Sequence, residues 1–168
     1  MTKCLVTGGS GFIGSHIVDK LCENKHNEVV VIDNESAVSN EKFYNNPLAE
    51  YHSFDIRDMD ACYPLFEGVD TVFHLAAFSR IQVAMQNPQA CLDTNIQGTV
   101  NMLECARLAG VRRFVNSSTS SLYGLKNKPP LEETMPTDCL NHYSASKRSA
   151  EVMCQMYYNL HGLRTVTL

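Results

Sequence analysis

The run Thr-Gly-Gly-Ser-Gly-Phe-Ile-Gly at residues 7–14 constrains the fold of this chain more than any other feature of its sequence. An apolar segment at 4–7 precedes the run, and a segment with helical periodicity at 12–23 follows it. Glycine suits such a turn because the turn is tight, the backbone must approach a pyrophosphate without a Cβ, and the helix packs closely on its strand. The helix N-terminus then offers free N–H groups and a positive dipole end to an anion. The alternative is a tight turn that needs positive φ and binds nothing.

Short apolar strands alternate with longer helical segments along the rest of the chain. The predicted strands are 4–7, 28–32, 50–54, 71–74, 113–116 and 164–168, and the predicted helices are 12–23, 59–66, 88–109 and 143–161. Asn87-Pro88 indicates a helix start, and Gly110 and Gly162 stand where left-handed caps belong. This alternation predicts a Rossmann-like doubly wound parallel sheet in three α/β/α layers, with strand order 3-2-1-4-5-6 and an end in the sixth strand. The longest irregular stretches are 34–49 and 125–141, and long loops at strand ends build the sites of such folds.

Length and composition narrow the function classes. With 168 residues and 44% hydrophobic side chains, the chain is expected to form one globular unit, a dinucleotide-binding domain over 1–168. The net charge is −4 and the 14 basic residues are scattered, so we expect no nucleic-acid partner. The seven cysteines are odd in number and never spaced as Cys-x-x-Cys, which predicts no metal site, no disulfide framework and a cytoplasmic protein with mostly buried thiols. No leader-like or membrane-length apolar run occurs, so no membrane association is expected.

Acidic residues close the second and third predicted strands. Asp33 follows the glycines by about 20 residues, where a carboxylate accepts hydrogen bonds from an adenosine ribose. Asn34 and Glu35 come next, so no arginine or lysine stands beside Asp33 for a 2′-phosphate, and the predicted cofactor is NAD rather than NADP. Asp55, followed by Ile56, either meets the adenine or is an ordinary turn residue.

Tyr143 and Lys147 lie four residues apart in a predicted helix, which stacks their side chains on one face. A phenol has a pKa of about 10, and lowering it by about 3 units takes about 4 kcal/mol of differential interaction with nearby positive charge. The hydroxyl-rich turn 116–124 emerges at the same sheet edge as the glycines and can hydrogen-bond a substrate oxygen. Both features also have structural readings, as a helix-surface pair and as a turn that satisfies its own backbone.

Six motifs together resemble the extended short-chain dehydrogenase/reductase family, and the resemblance spans the whole chain. They are residues 7–14, Asp33-Asn34, His-Leu-Ala-Ala at 74–77, Asn-Ile-Gln-Gly-Thr at 95–99, the turn 117–124, and Tyr-Ser-Ala-Ser-Lys at 143–147. The resemblance implies that Tyr143 is the base, that Lys147 binds ribose and lowers the tyrosine pKa, and that Thr119 is the third catalytic hydroxyl. It implies cofactor contacts at Gly8, Gly11, Phe12, Ile13, Gly14, Asp33, Asn34, Asp55, Ile56, Leu75, Ala76, Ala77, Asn95 and Ser117, besides Tyr143 and Lys147. Asn95 by itself reads as a polar residue in a helix interior that needs a partner.

The residues after Thr119 indicate which chemistry the family resemblance implies. Members that eliminate water carry an Asp-Glu pair there and decarboxylating members a glutamate two places on, whereas this chain has Ser120 and Ser121. A serine cannot protonate a leaving hydroxyl at neutral pH as a carboxylic acid does. The pattern is similar to nucleotide-sugar 4-epimerases such as those that interconvert UDP-glucose and UDP-galactose. Tyr143 then takes the sugar 4-hydroxyl proton while hydride passes to NAD, and the 4-keto sugar turns over and takes the hydride back.

Some expectations stay open at this stage. UDP-galactose epimerases resemble this chain but have a lysine where Ser79 aligns, so neither the sugar nor the base is fixed, and Arg80 either serves a diphosphate or is solvated. The family continues for about as many residues again with a substrate domain. The chain is therefore a fragment, a short natural form, or a dinucleotide-binding module without turnover. A nucleotide-sugar reductase that releases its reduced cofactor is a third reading. By family analogy, we expect a homodimer through helices 88–109 and 143–161.

Overall fold

A computed structural model describes residues 1–37 and 43–168 of the chain. Within those ranges six parallel strands form one sheet in the order β3-β2-β1-β4-β5-β6. The strands are β1 Thr2–Thr7, β2 Asn27–Ile32, β3 Glu50–His52, β4 Thr71–His74, β5 Arg113–Asn116 and β6 Arg164–Thr167. The predicted order 3-2-1-4-5-6 and the Rossmann-like fold are confirmed. The predicted irregular stretch 34–49 includes residues 38–42, which lie outside the described residues.

Helices cover both faces of the sheet. They are α1 Phe12–Cys22, α2 Met59–Cys62, α3 Ile81–Gln86, α4 Pro88–Leu92, α5 Thr99–Leu108 and α6 His142–His161. On one face, Val18 of α1 packs against Val6 and Val31 of the sheet. On the other face, α5 and α6 pack against Leu5 and Phe114. Because the side chains of a strand point alternately to opposite faces, both sides of β1 are buried, and the three predicted α/β/α layers are confirmed.

The helix predicted over 88–109 is interrupted. It consists of α4, a π-helical turn at Asp93–Gly98, and α5. Within the turn, the carbonyl oxygen of Asn95 accepts a hydrogen bond from the Thr99 hydroxyl at 2.7 Å, and the Asn95 side chain is tied to a different segment of the chain. A π turn holds one extra residue, which lets a buried polar side chain reach a partner outside the helix. Apolar periodicity alone carries no sign of this insertion.

Other boundaries differ from the prediction for local reasons. The third strand ends at His52 rather than at Phe54, because the Phe54 N–H turns back to the His52 carbonyl oxygen at 3.0 Å. The helix predicted over 59–66 changes at Cys62 into a 3₁₀ helix, Tyr63–Phe66, whose second residue is proline. Proline lacks the N–H that would continue an α-helix. Helix α3 was not predicted, since six residues are too few to show periodicity.

The predicted helix ends agree with the structure. Gly110 and Gly162 have φ of +72° and +71°, and α4 begins at Pro88. Five of the seven cysteines are buried, as expected from their use as small apolar groups. In residues 1–37 and 43–168, no helix combines the length and the apolar character needed to cross a bilayer.

Candidate functional site

The carboxyl ends of four neighbouring strands align at one edge of the sheet. Strand register pairs Ile32 with Thr7, Thr7 with His74, and His74 with Asn116. The next residue after each of these four strand ends is a predicted site residue, namely Asp33, Gly8, Leu75 and Ser117. Parallel pairing therefore brings residues that are up to 109 positions apart in the sequence to a single edge.

The glycine loop lies tightly against the neighbouring strand end. Gly8 has φ of +73°, and a Cβ there would lie 2.6 Å from the backbone nitrogen of Ala76. A Cβ on Gly14 would collide with the carbonyl oxygen of Gly8. Gly11 is the N-cap of α1, so the first N–H groups of that helix point toward the loop. Glycine at positions 8 and 14 thus lets the loop pack in direct backbone contact with the next strand end and with the start of α1. The N–H groups at the start of α1, beside this loop, are donors that suit a pyrophosphate.

The Asp33 carboxylate is anchored to the glycine loop. One oxygen accepts the backbone N–H of Ser10 at 2.9 Å, and the other accepts the N–H of Glu35 at 2.8 Å. Each carboxylate oxygen can accept a second hydrogen bond. Asp33 thus keeps acceptor capacity beside the loop, as a ribose-binding acid requires.

A cluster after β3 contains an arginine that the sequence analysis missed. Asp55 accepts two hydrogen bonds from the Arg57 guanidinium, at 2.9 and 2.7 Å, and one from the Asn34 amide at 3.0 Å. The Arg57 side chain holds the pKa of Asp55 below its usual range. Arg57 was missed because it is distant from Asp33 in sequence, whereas the structure brings it near Asn34. Its guanidinium is paired with the Asp55 carboxylate, and the preference for NAD over NADP stays a prediction.

Of the remaining residues that are predicted to contact the cofactor, some are exposed, and others are buried or held by backbone hydrogen bonds. Phe12 and Ile13, at the start of α1, are 78% and 60% exposed. Ile56 is buried against α5. Backbone N–H groups of Leu75 and Ala76 donate to the carbonyl and hydroxyl oxygens of Thr7, and Ala77 continues this partly buried turn. The partners of these backbone groups fix the course of the chain along the sheet edge.

Lys147 is buried at the sheet edge. Its side chain is in α6, and its ammonium donates to the Ser117 carbonyl oxygen at 2.9 Å. Burial lowers the pKa of Lys147 to about 8. The hydrogen bond to Ser117 therefore places the Lys147 ammonium next to the hydroxyl-rich turn.

Tyr143 lies one helical turn before Lys147, and its phenol is near Thr119. Burial raises the pKa of Tyr143, and a hydrogen bond with the Thr119 side chain opposes that rise. In the chain alone the phenol is thus neutral at pH 7, and a phenolate requires further positive charge. Thr119 also caps the 3₁₀ helix Ser120–Tyr123, because its hydroxyl oxygen accepts the Ser121 N–H at 3.2 Å. The turn thus satisfies part of its own backbone, and its role in binding a substrate oxygen stays a prediction.

The start of α6 is fixed by its cap. The Asn141 side chain accepts the Ser144 N–H at 2.9 Å, and the Ser144 hydroxyl accepts the Asn141 N–H at 3.2 Å. Such a reciprocal capping box satisfies two helix N–H groups that have no partner within the helix. It sets the first turn of α6, which carries Tyr143.

Asn95 finds the partners that a buried amide needs. Its side chain exchanges hydrogen bonds with the backbone of Phe78, at 2.7 and 3.1 Å, and donates to the Ser146 hydroxyl at 2.9 Å. Ser146 in turn donates to the Tyr143 carbonyl oxygen at 2.8 Å. Asn95 thus joins the π turn, the segment after β4 and the first turn of α6. Its direct contact with a cofactor stays a prediction.

His74 is a further buried polar residue at this edge, for which the sequence analysis gave no role. Its Nδ1 lies 2.7 Å from the Thr7 hydroxyl and its Nε2 lies 2.9 Å from the Thr99 hydroxyl. Because Thr99 donates its proton to the Asn95 carbonyl oxygen, the imidazole must donate through Nε2 and accept at Nδ1. Burial lowers the pKa of His74 to about 3, and the Lys147 charge adds to this effect. The ring is therefore neutral and has one tautomer.

Comparison with known proteins identifies the family. Residues 5–168 match the family described as GDP-mannose 4,6 dehydratase. A putative UDP-glucose 4-epimerase from Methanocaldococcus jannaschii is 39% identical, with 98% of this chain and 53% of that protein covered. UDP-glucuronic acid decarboxylase 6 from Arabidopsis thaliana is 37% identical, with 96% and 48% covered.

A solved structure has the same fold. The UDP-glucose 4-epimerase from Thermus thermophilus, in complex with NAD, superimposes with a TM-score of 0.89 at 32% identity, over 99% of this chain and 54% of that chain. This chain spans about half the length of the curated relatives it matches. Family match and fold together show that the chain belongs to the GDP-mannose 4,6 dehydratase family, among the extended short-chain dehydrogenases/reductases that include nucleotide-sugar epimerases and dehydratases.

Proposed function

We propose that this chain is the NAD-binding domain, over 1–168, of a nucleotide-sugar 4-epimerase. The observation that carries the proposal is the meeting of Tyr143, Lys147 and Thr119 at the sheet edge that also holds the glycine loop. A proton-transfer group beside a dinucleotide cradle is typical of dehydrogenase chemistry. Relatives named as UDP-glucose 4-epimerases support the reaction type.

The proposed cofactor site uses groups that follow two strand ends, β1 and β2, and groups on two helices, α1 and α6. The glycine loop and the N-terminus of α1 hold the pyrophosphate, Asp33 holds the adenosine ribose, and Lys147 holds the second ribose. NAD, when bound, supplies a hydride acceptor and a positively charged ring. The fit rests on the close backbone packing at Gly8 and Gly14, which leaves no room for a Cβ, and on the N–H groups at the start of α1 beside that loop.

The chain's own residues handle the proton. Tyr143 removes the proton of the sugar 4-hydroxyl as C4 loses its hydride. After the 4-keto sugar has turned its other face toward the site, C4 takes the hydride back on that face and Tyr143 returns the proton to the 4-oxygen. Thr119, already beside the phenol, orients that sugar oxygen by a hydrogen bond. Burial raises the pKa of Tyr143, so the phenolate form needs added positive charge, which the proposed mechanism assigns to Lys147, one helical turn away, and to the bound cofactor.

Ser120 and Ser121 favour epimerisation over elimination within this family. Family relatives include decarboxylases as well as epimerases, so the fold does not choose between the two. Elimination of water needs an acid that protonates the leaving hydroxyl, and a serine with an ordinary hydroxyl pKa cannot do so at neutral pH. The Ser121 N–H is also tied to Thr119, so this serine helps to set the turn.

The test is incubation of the purified chain with NAD and a panel of UDP- and dTDP-sugars, followed by chromatographic separation of C4 epimers. We expect interconversion without net reduction of NAD, and loss of at least about 100-fold in rate in Tyr143→Phe, since general base catalysis contributes about 10²–10⁴-fold. Net accumulation of reduced cofactor would instead support the nucleotide-sugar reductase reading. A dehydrated sugar product would contradict the assignment based on Ser120 and Ser121.

A dinucleotide-binding module without turnover is the second candidate. It is favoured by the raised pKa of Tyr143 and by coverage of only about half of each relative. In that case NAD binds to the chain and no sugar is converted. The assay then becomes positive only when the chain is assayed together with the remaining portion of a relative.

We also propose a homodimer through helices 88–109 and 143–161. The apolar side chains of Val152, Met156 and Leu160 on α6 are exposed and recur every four residues, which places them on one face of the helix. Met153, in contrast, packs against the core. This stripe supports pairing of α6 with a second copy. A cytoplasmic location stays a prediction from the cysteine pattern.

A further inference from the structure

The turn that follows β3 is held from behind by α5. Asn101 on α5 is only 8% exposed, and its amide nitrogen donates to the carbonyl oxygens of Ile56 and Arg57, at 3.2 and 2.9 Å. Gln97 donates to the Asn101 amide oxygen at 2.9 Å. Because both ends of the amide are engaged, the side chain has one orientation, with its nitrogen toward the turn.

A second contact joins the same turn to the same helical segment. The Ile56 side chain lies over Gly98, where a Cβ would be 2.6 Å from the Ile56 Cδ1 and 2.7 Å from Cγ1. The absence of a side chain at this residue lets the turn approach the helix closely. Asn101 thus fixes the backbone of the turn, and the lack of a side chain at Gly98 leaves room for the buried Ile56 side chain of that turn.

The turn is continuous with the proposed cofactor site. The Asp55 carboxylate accepts a hydrogen bond from Asn34, which directly follows Asp33, and Asp33 accepts the Ser10 N–H of the glycine loop. A cleft of about 690 Å³ runs along this turn and is lined by residues of the turn and of α5, including Asn101. A displacement of the turn would therefore change the wall on the adenosine side of the site, while the Tyr143 side lies elsewhere along the edge.

We propose that Asn101 is a positioning residue that sets the affinity of this chain for the adenosine half of its dinucleotide. The inference rests on the proposed NAD site. Asn101 acts through the backbone of Ile56 and Arg57, which holds Asp55 beside Asn34, rather than by touching the cofactor. Removal of its amide frees two backbone carbonyl groups that the turn cannot satisfy internally in the same geometry.

The test is isothermal titration calorimetry of the full chain with NAD, with AMP as the adenosine half and with nicotinamide mononucleotide as the other half. In Asn101→Ala we expect Kd to rise about tenfold for both NAD and AMP, and to change less than twofold for nicotinamide mononucleotide. Asn159→Ala is the matched control, because Asn159 accepts the same kind of bond from Gln155 four residues earlier, at 2.9 Å, on α6. It should leave all three values within twofold.

Gly98→Ala provides a second route to the same result. The added methyl displaces Ile56 without removing any hydrogen bond, and alanine favours the helix. The same selective loss of NAD and AMP affinity is expected.

Three outcomes overturn the inference. If the wild-type chain binds NAD and both folded variants bind AMP as well as it does, the positioning role is wrong while the proposed function stands. If nicotinamide mononucleotide loses as much affinity as AMP, Asn101 is only a general stabilising residue. If the wild-type chain binds neither NAD nor AMP, the proposal that NAD is the cofactor is wrong, and so is the inference that rests on it.

Discussion

His74 and Lys147 are buried near each other at the residue scale, and each one links stability to pH. The folded chain keeps His74 neutral because burial lowers its pKa from 6.5 to about 3. The unfolded chain takes up a proton at this residue below pH 6.5, so stability is fully present above that pH and is lost as the pH falls from 6.5 toward 3. The slope for one such group is about 1.4 kcal/mol per pH unit.

The first prediction concerns acid sensitivity at His74. Between about pH 6.5 and pH 5, the free energy of unfolding of the wild-type chain should fall by about 2 kcal/mol through this residue. His74→Gln, which cannot titrate there, should start less stable but lose about 2 kcal/mol less over the same range. Urea unfolding at several pH values measures both slopes, and equal slopes would show that His74 is not the group responsible.

The second prediction concerns the buried ammonium of Lys147. Burial lowers its pKa from 10.5 to about 8, so the charged form disfavours the fold below pH 8, and this penalty shrinks as the pH rises from 8 to 10.5. After allowance for the lost bond to Ser117, Lys147→Met should stabilise the chain by roughly 2 kcal/mol at pH 7, or raise Tm by about 4–8 °C. The same variant should bind NAD more weakly. A lower Tm in Lys147→Met at pH 7 would refute the pKa assignment.

At the element scale, the cap of α6 links helix stability to the proposed active site. The capping box formed by Asn141 and Ser144 begins the helix one residue before Tyr143. Asn141→Ala should lower the free energy of unfolding by about 1 kcal/mol, whereas Asn141→Ser, which keeps a capping oxygen, should lose only a few tenths. Urea midpoints compare the two variants, and an equal loss in both would assign the effect to something other than the cap.

The elements also show where sequence patterns succeed. The strands were predicted because they are short apolar runs, and the long helices because their apolar residues recur about every 3.6 positions. Helix ends were predicted at Gly110 and Gly162. The residue after a helix often has a left-handed backbone conformation, and glycine adopts it at no steric cost. The π turn was not predicted, because it depends on bonds from Asn95 to Phe78 and Ser146, which lie 17 and 51 residues away.

At the scale of the whole molecule, we expect the exposed apolar stripe on α6, formed by Val152, Met156 and Leu160, to form the interface of the proposed dimer. Met156→Glu places a charge at the centre of that stripe, and we expect the dimer dissociation constant to rise by at least about tenfold, since burial of an unpaired charge is strongly unfavourable. Sedimentation velocity at micromolar concentration measures the shift. Glu substitution at exposed Gln155, off the apolar stripe, is the control. A wild-type chain that sediments only as monomer would remove the proposed interface.

The glycine loop, the strand order and the groups that meet at the sheet edge were determined by the sequence alone. Local steric needs fix the glycines, and parallel pairing brings every strand end to the same edge. Tyr143, Lys147 and Thr119 could be selected as site candidates because their types and spacing match the family's motifs.

Only the tertiary structure decided which polar groups satisfy one another across that edge. The bonds of Thr7 with His74 span 67 residues and those of Asn101 with Ile56 span 45. Neither pair leaves a periodic signal, because a hydrogen bond between distant residues depends on how the elements pack and not on local sequence. The neutral tautomer of His74 and the anchoring of the turn by Asn101 arise from such contacts between buried groups, where an unpaired polar group is costly.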